Sequence, residues 1–153
     1  MDNDKHVLMG GVPEGFDATR VLAELAGGAP VVHIARDDKR MAAMATALAV
    51  FDPSVPVLRF PGWDCLPFDR VSPNADISAA RMATLAALAA GLSGPFILLT
   101  TLNSATQYVP PRDLLRGSSF LAEVDQRIDE GGLRAFLVRM GYAQSPTVME
   151  PGD

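Results

Sequence analysis

The chain has 153 residues, enough for one domain with a sizeable core and part of a second. Its 13 basic and 18 acidic residues give a formal charge of −5 without a basic cluster, which argues against nucleic-acid binding by this chain. A single cysteine, Cys65, excludes an internal disulfide and predicts a cytoplasmic location. The polar start is unlike a signal peptide, and the longest uncharged apolar stretch, 82–92, is too short to span a bilayer, so no membrane segment is expected.

Four short apolar runs alternate with helical patterns and predict the strands of one sheet. They are HVLMG, PVVHIA, PVLRF and FILLTT, at residues 6–10, 30–35, 56–60 and 96–101. Their length and their β-branched or aromatic residues are typical of buried strands. Strands that alternate with helices pair in parallel through right-handed crossovers, so the predicted fold class is α/β with a three-layer parallel sheet.

Caps and apolar spacing predict the helices between these strands. Asp17 is expected to be the N-cap of the first helix and Asp37 that of the second. The apolar faces are predicted to be Met41, Met44, Leu48 and Phe51 in the second helix, and Leu85, Leu88 and Leu92 in the third.

The character of the sequence changes after the double proline at residues 110–111. The segment SSFLAEV, residues 118–124, could form a strand, and DEGGLRAFLVRMGY has apolar residues at helical spacing before Gly141 ends the helix. We therefore expect an α/β domain over residues 1–115. Residues 116–153 are expected to be the beginning of a small α+β domain that is truncated before it closes its core.

A glycine-rich turn, GGVPEGFDATR, follows the first predicted strand, where a phosphate-binding loop would lie. A working loop needs a lysine for the phosphates and a hydroxyl for Mg²⁺, but those positions hold Asp17 and Ala18. Glu14 and Asp17 would also repel an anion at the start of the helix. A tight connection that needs glycine is the simpler interpretation. The alternatives are a small nucleotide-binding α/β enzyme with an atypical glycine-rich loop and an α/β dimerisation module.

A second candidate is the long loop of residues 59–81, which follows the third predicted strand. Open α/β sheets bind ligands at the carboxyl ends of their strands. The aspartates of this loop match no recognised metal-site spacing. Cys65 is expected to be a small buried hydrophobic residue, and His33 a half-buried, hydrogen-bonded core residue. No nucleophile and base arrangement is visible in the sequence, so we expect no catalytic residue, metal or cofactor.

Several segments, taken in order, resemble the N-terminal region of the bacterial transcription-repair coupling factors, the Mfd family. These are GGVPEGFDATRVLAEL, PVVHIARDDKRMAAMATAL, LRFPGWDCLPFDRVSPNADISAARMATLAAL and ILLTTLNSATQYVPP, and the resemblance extends through GGLRAFLVRMGY to the end. The most specific motif is W-D-x-L-P-[FY]-D-x-x-S-P, represented here by Trp63, Asp64, Leu66, Pro67, Phe68, Asp69, Ser72 and Pro73.

That region is similar to the nucleotide excision repair protein UvrB, whose first domain is a RecA-like, helicase-type α/β fold with a functional phosphate loop. The resemblance implies a degenerate form of that loop in this chain, made of Gly11, Glu14, Gly15, Asp17 and Ala18. It also implies that the fragment is not an enzyme and needs no cofactor. ATP and Mg²⁺ are expected only for the DNA translocase that lies downstream in the complete protein.

The resemblance further implies a partner-binding role in transcription-coupled nucleotide excision repair. In the family the UvrB-like module recruits UvrA, and contact with the C-terminal region of the same protein masks the UvrA-binding face. RNA polymerase and DNA are contacted by other domains. The UvrA-contacting strand of the second, UvrB domain 2-like domain follows an E-P-G-[ED] turn, which corresponds here to Glu150, Pro151, Gly152 and Asp153.

Overall fold

The computed structural model describes residues 7–66, 70–120, 122 and 124–147. The chain divides into two compact units, residues 1–110 and 111–153, and the assignment of the second to a UvrA-recognition domain stays a prediction. The first unit contains α1 (Phe16–Leu25), β1 (Val31–Ala35), α2 (Asp38–Phe51), β2 (Val57–Phe60), α3 (Ala75–Ala90), β3 (Ile97–Thr101) and the single turn α4 (Leu102–Ala105). The second contains α5 (Arg112–Leu115) and α6 (Glu130–Arg139). Within the described ranges, no helix is both long enough and apolar enough to cross a membrane.

The strands of the described residues form one parallel sheet with the order β1-β3-β2. Val31 of β1 and Val57 of β2 both pair with Ile97 at the start of the central strand. The α/β class and three of the four predicted strands are therefore confirmed. The prediction of a strand at residues 6–10 is wrong for residues 7–10, which have no ladder partner and leave Val7 and Leu8 exposed. Residue 6 lies outside the described residues.

Helices α1 and α2 cover one face of this sheet. Asp37 is the N-cap of α2, as predicted, and its Oδ1 accepts a hydrogen bond from the Arg40 N–H at 2.8 Å. The predicted face of α2 is buried except for Phe51, the last residue of the helix, which is exposed. The buried core on this side consists of Ala18, Val21, Leu25, Ala35, Met41, Met44, Leu48, Ile97 and Leu99.

Helix α3 lies on the opposite face, over β2. Side chains alternate along a strand, so Phe60 points away from the face on which Val57 packs, and the guanidinium of Arg81 in α3 stacks on the Phe60 ring. The predicted apolar face of α3 is wrong in its detail. The buried residues are Arg81, Thr84 and Ala89, whereas Leu85 and Leu88 are half-buried and Leu92 lies exposed beyond the end of the helix.

The second unit is built around α6. Asp129 caps this helix by accepting a hydrogen bond from the Gly131 N–H at 3.1 Å. Gly141 follows the end of the helix, as predicted, with a φ of +91°. The Phe120 and Phe136 rings lie 5.9 Å apart. The strand predicted at 118–124 is wrong for residues 118–120, 122 and 124, because the described part of this unit offers no strand for it to pair with.

Candidate functional site

The glycine-rich turn ends where α1 begins. Gly15 is the N-cap residue and has a φ of +86°, in the left-handed region that favours glycine. The Phe16 N–H donates to the Pro13 carbonyl at 3.2 Å, and Asp17 Oδ1 accepts from the Ala18 N–H at 3.1 Å. Asp17 is therefore the second residue of the helix, and its prediction as the N-cap is wrong, because Gly15 allows the chain to enter the helix earlier. Its carboxylate still lies in the first turn.

Paired charges surround this turn. Arg40 Nη1 donates to Glu14 Oε1 at 2.8 Å, which ties the turn to the first part of α2. Arg36 and Arg40 line a hollow beside Asp17, and Arg36 Nε donates to Asp37 Oδ2 at 2.9 Å. A phosphate that entered here would meet the Asp17 carboxylate and two arginines that already have acidic partners.

His33 of β1 lines the same hollow. Partial burial lowers the pKa of its imidazole, and Arg40 lowers that pKa further, while Asp17 acts in the opposite direction. The imidazole is therefore neutral near pH 7 and supplies no positive charge for an anion. The prediction of a half-buried structural histidine agrees with this position.

The loop after β2 carries the W-D-x-L part of the motif. Both carboxylate oxygens of Asp64 accept from the Asn74 N–H, at 3.2 and 3.3 Å, and Asn74 is the N-cap of α3. Asp38 Oδ1 accepts from the Gly62 N–H at 3.1 Å, which ties the loop to the start of α2. These carboxylates therefore brace the loop through backbone donors. Pro67, Phe68 and Asp69 lie outside the described residues.

Arg81 is the residue that organises this end of the sheet. It is only 3% exposed, and its guanidinium lies 4.0 Å from the centre of the Phe60 ring and 4.2 Å from that of Trp63. It donates to the Pro61 carbonyl at 2.6 Å and to Gln107 Oε1 at 3.0 Å, with a longer contact of 3.4 Å to Ser104 Oγ. Burial lowers its pKa, but a guanidinium remains charged at neutral pH. Among the described residues no carboxylate lies within ion-pair distance of it.

A crevice of about 860 Å³ lies at the carboxyl ends of the three strands. Asp38 contributes to it after β1, Gly62 and Trp63 after β2, and Asn103 and Gln107 after β3. Its lining mixes an aromatic ring with amide and hydroxyl groups, which suits the mixed polar and apolar surface of a partner or ligand. The described residues contain no group of three or more side chains that could hold a metal ion.

Comparison with known proteins identifies the family, although no protein-family model matches the chain. The chain is 35% identical over 147 residues to the transcription-repair-coupling factor of Myxococcus xanthus, and the match covers 91% of this chain. It is 30% identical over 148 residues to that of Escherichia coli, with 88% of the chain covered. The chain belongs to the transcription-repair coupling factor family. It spans only 12–13% of the length of these two relatives.

In this coupling factor chain, the predicted motif residues and the predicted loop residues line two different hollows. Four motif residues line the crevice, namely Trp63, Leu66, Ser72 and Pro73. The loop predicted to be a degenerate phosphate loop contributes Glu14, Gly15 and Asp17 to a different hollow, against Arg40 and Met44 of α2. Gly11 of that loop has a φ of +69°. Glu150, Pro151, Gly152 and Asp153 lie outside the described residues, so the predicted partner turn stays a prediction.

The sequence interpretation missed Arg81 of this coupling factor chain. A signal for it was present, because Arg81 lies four residues before Leu85 and seven before Leu88, on the stripe predicted to face the sheet. A single arginine on an otherwise apolar stripe indicates a buried cation that needs partners. The sequence could not show that its partners are two aromatic rings and acceptors from two other segments, one after β2 and one after β3.

Proposed function

We propose that this chain is a non-catalytic, UvrB-like scaffold module of a transcription-repair coupling factor, with a degenerate RecA-like fold, and that it serves in the recruitment of UvrA. The observation that carries the proposal is the charge of the glycine-rich turn. Asp17 lies in the first turn of α1, and Glu14 is paired with Arg40, where ATP chemistry needs a free cation. The parallel α/β sheet supports the RecA-like part of the proposal.

In the full-length protein, the module would act through surfaces and not through chemistry. We assign ATP and Mg²⁺ to a translocase elsewhere in the coupling factor, and RNA polymerase and DNA to other domains. An autoinhibitory contact between the C-terminal region and this module belongs to the same proposal. The family match and the small share of the relatives that this chain spans support a modular role of this kind. A coupling factor of this type would work in the cytoplasm, where transcription takes place.

Titration with fluorescent ATP in the presence of Mg²⁺ tests the loop. We expect no saturable binding at micromolar concentrations. Saturable binding that is lost in Gly15→Arg but kept in Gly28→Arg would establish the alternative, a nucleotide-binding enzyme, and overturn the scaffold proposal. Gly28 is a matched control because it has a similar φ, +85° against +86°, and open space at its Cβ position, so the two substitutions impose similar backbone strain.

A pull-down with purified UvrA tests the partner. The full-length coupling factor of the same genome is compared with a version that lacks its C-terminal region. We expect the shortened protein to retain more UvrA, because the masking contact is gone. If neither protein retains UvrA, recruitment is rejected; if both retain the same amount, autoinhibition is rejected. Sedimentation equilibrium of the 153-residue chain addresses the dimerisation alternative, which requires an apparent mass that rises with concentration.

A further inference from the structure

We draw no further inference here: the strongest candidate, the exposed apolar surface patch of Val32 and Ile34 on the face of β1 opposite α1 and α2, carries nothing because nothing in the structure shows what covers it.

Discussion

Replacing Arg81 by alanine is expected to lower the free energy of unfolding of the first unit by about 3 kcal/mol. The guanidinium makes two short hydrogen bonds, to Pro61 and Gln107, and a hydrogen bond to a charged group contributes about 1.5–3 kcal/mol. Its stacking on Phe60 and Trp63 adds about 0.5–2 kcal/mol per ring. Relief of the cost of burying a charge, several kcal/mol, offsets part of this sum. The loss remains large because the Pro61 carbonyl is half-buried and loses its partner, whereas the exposed Gln107 amide can turn to water.

Urea denaturation followed by tryptophan fluorescence measures this loss. Trp63 is the only tryptophan of the chain and contacts the Arg81 guanidinium, so its emission reports both the local contact and the unfolding of the first unit. Arg20→Ala is the matched control, because Arg20 forms an exposed pair with Glu24 on α1 and should change stability by about 0.5 kcal/mol or less. Arg81→Lys keeps the charge but loses the planar fork, and we expect an intermediate loss.

Two results would refute this reasoning. An Arg81→Ala variant as stable as the Arg20→Ala control would show that the hydrogen bonds and ring contacts contribute nothing beyond the cost of burying the charge. Full stability and unchanged emission in Arg81→Lys would show that a point charge is enough, against the argument from a flat guanidinium between two rings.

Three further predictions concern the core, a histidine and a helix cap. Leu48→Ala should lower the free energy of unfolding, measured in urea, by about 2–5 kcal/mol, because Leu48 is fully buried. Val50→Ala, on the exposed side of the same helix, should change it by about 0.5 kcal/mol or less. Equal losses in the two variants would contradict the assignment of the core face. Burial lowers the folded-state pKa of His33, so the unfolded state binds the proton more tightly, and stability should fall as the pH drops below about 6.5 towards the folded pKa. In urea titrations between about pH 7 and 5, His33→Gln should reduce the dependence of the unfolding free energy on pH. The same pH dependence in both proteins would contradict this prediction. Asp37→Ala should lower the midpoint of thermal unfolding at pH 7, measured by circular dichroism, and Asp37→Asn, which keeps an acceptor, should lower it less. The pKa of Asp37 is lowered chiefly by its hydrogen bond from the Arg40 N–H. The contribution of the carboxylate to stability is therefore present above its unfolded pKa and is lost as the pH falls through its folded pKa. If the difference in unfolding midpoint between Asp37→Ala and the unchanged protein does not shrink as the pH falls through that range, the cap assignment is contradicted.

The sequence predicted the fold correctly where the local signals and the burial of the residues agree. Helix α2 has a capping aspartate, Asp37, and apolar residues at steps of three and four, and the structure confirms both. The three confirmed strands are short apolar runs between helices that can supply parallel partners. In these places the local pattern and the tertiary contacts favour the same structure, so a reading of one segment at a time is enough.

The sequence failed where the outcome depends on a partner from elsewhere in the chain. Residues 7–10 have the apolar content of a strand but no ladder neighbour, and the same is true of the described residues of 118–124. A strand is stabilised by its neighbours and not by its own sequence, so composition alone overpredicts it. The prediction of Asp17 as the N-cap of α1 failed for a local reason. Gly15 adopts a positive φ and is itself the N-cap, so the helix begins two residues earlier than predicted.

The candidate site was predictable in its charges but not in its contacts. The absence of the loop lysine and hydroxyl can be read directly from Asp17 and Ala18. The pairing of Glu14 with Arg40 joins residues 26 positions apart, and that of Arg81 with Gln107 again spans 26, so neither follows from spacing within one element. Pairs of this kind depend on how the helices, strands and loops pack together, which the spacing within one element does not encode.

The distribution of charge bears on the choice between a nucleotide site and a partner surface. Arg36 and Arg40 each have an acidic partner, and Arg81 is enclosed between two rings, so these three arginines offer little to a phosphate group. Trp63, in contrast, keeps 42% of its surface exposed beside the crevice while one ring contact holds it in place. A partly exposed aromatic ring that is already ordered loses little conformational entropy on binding, and such residues are enriched at protein interfaces. These observations support the proposed scaffold role over the nucleotide-binding alternative.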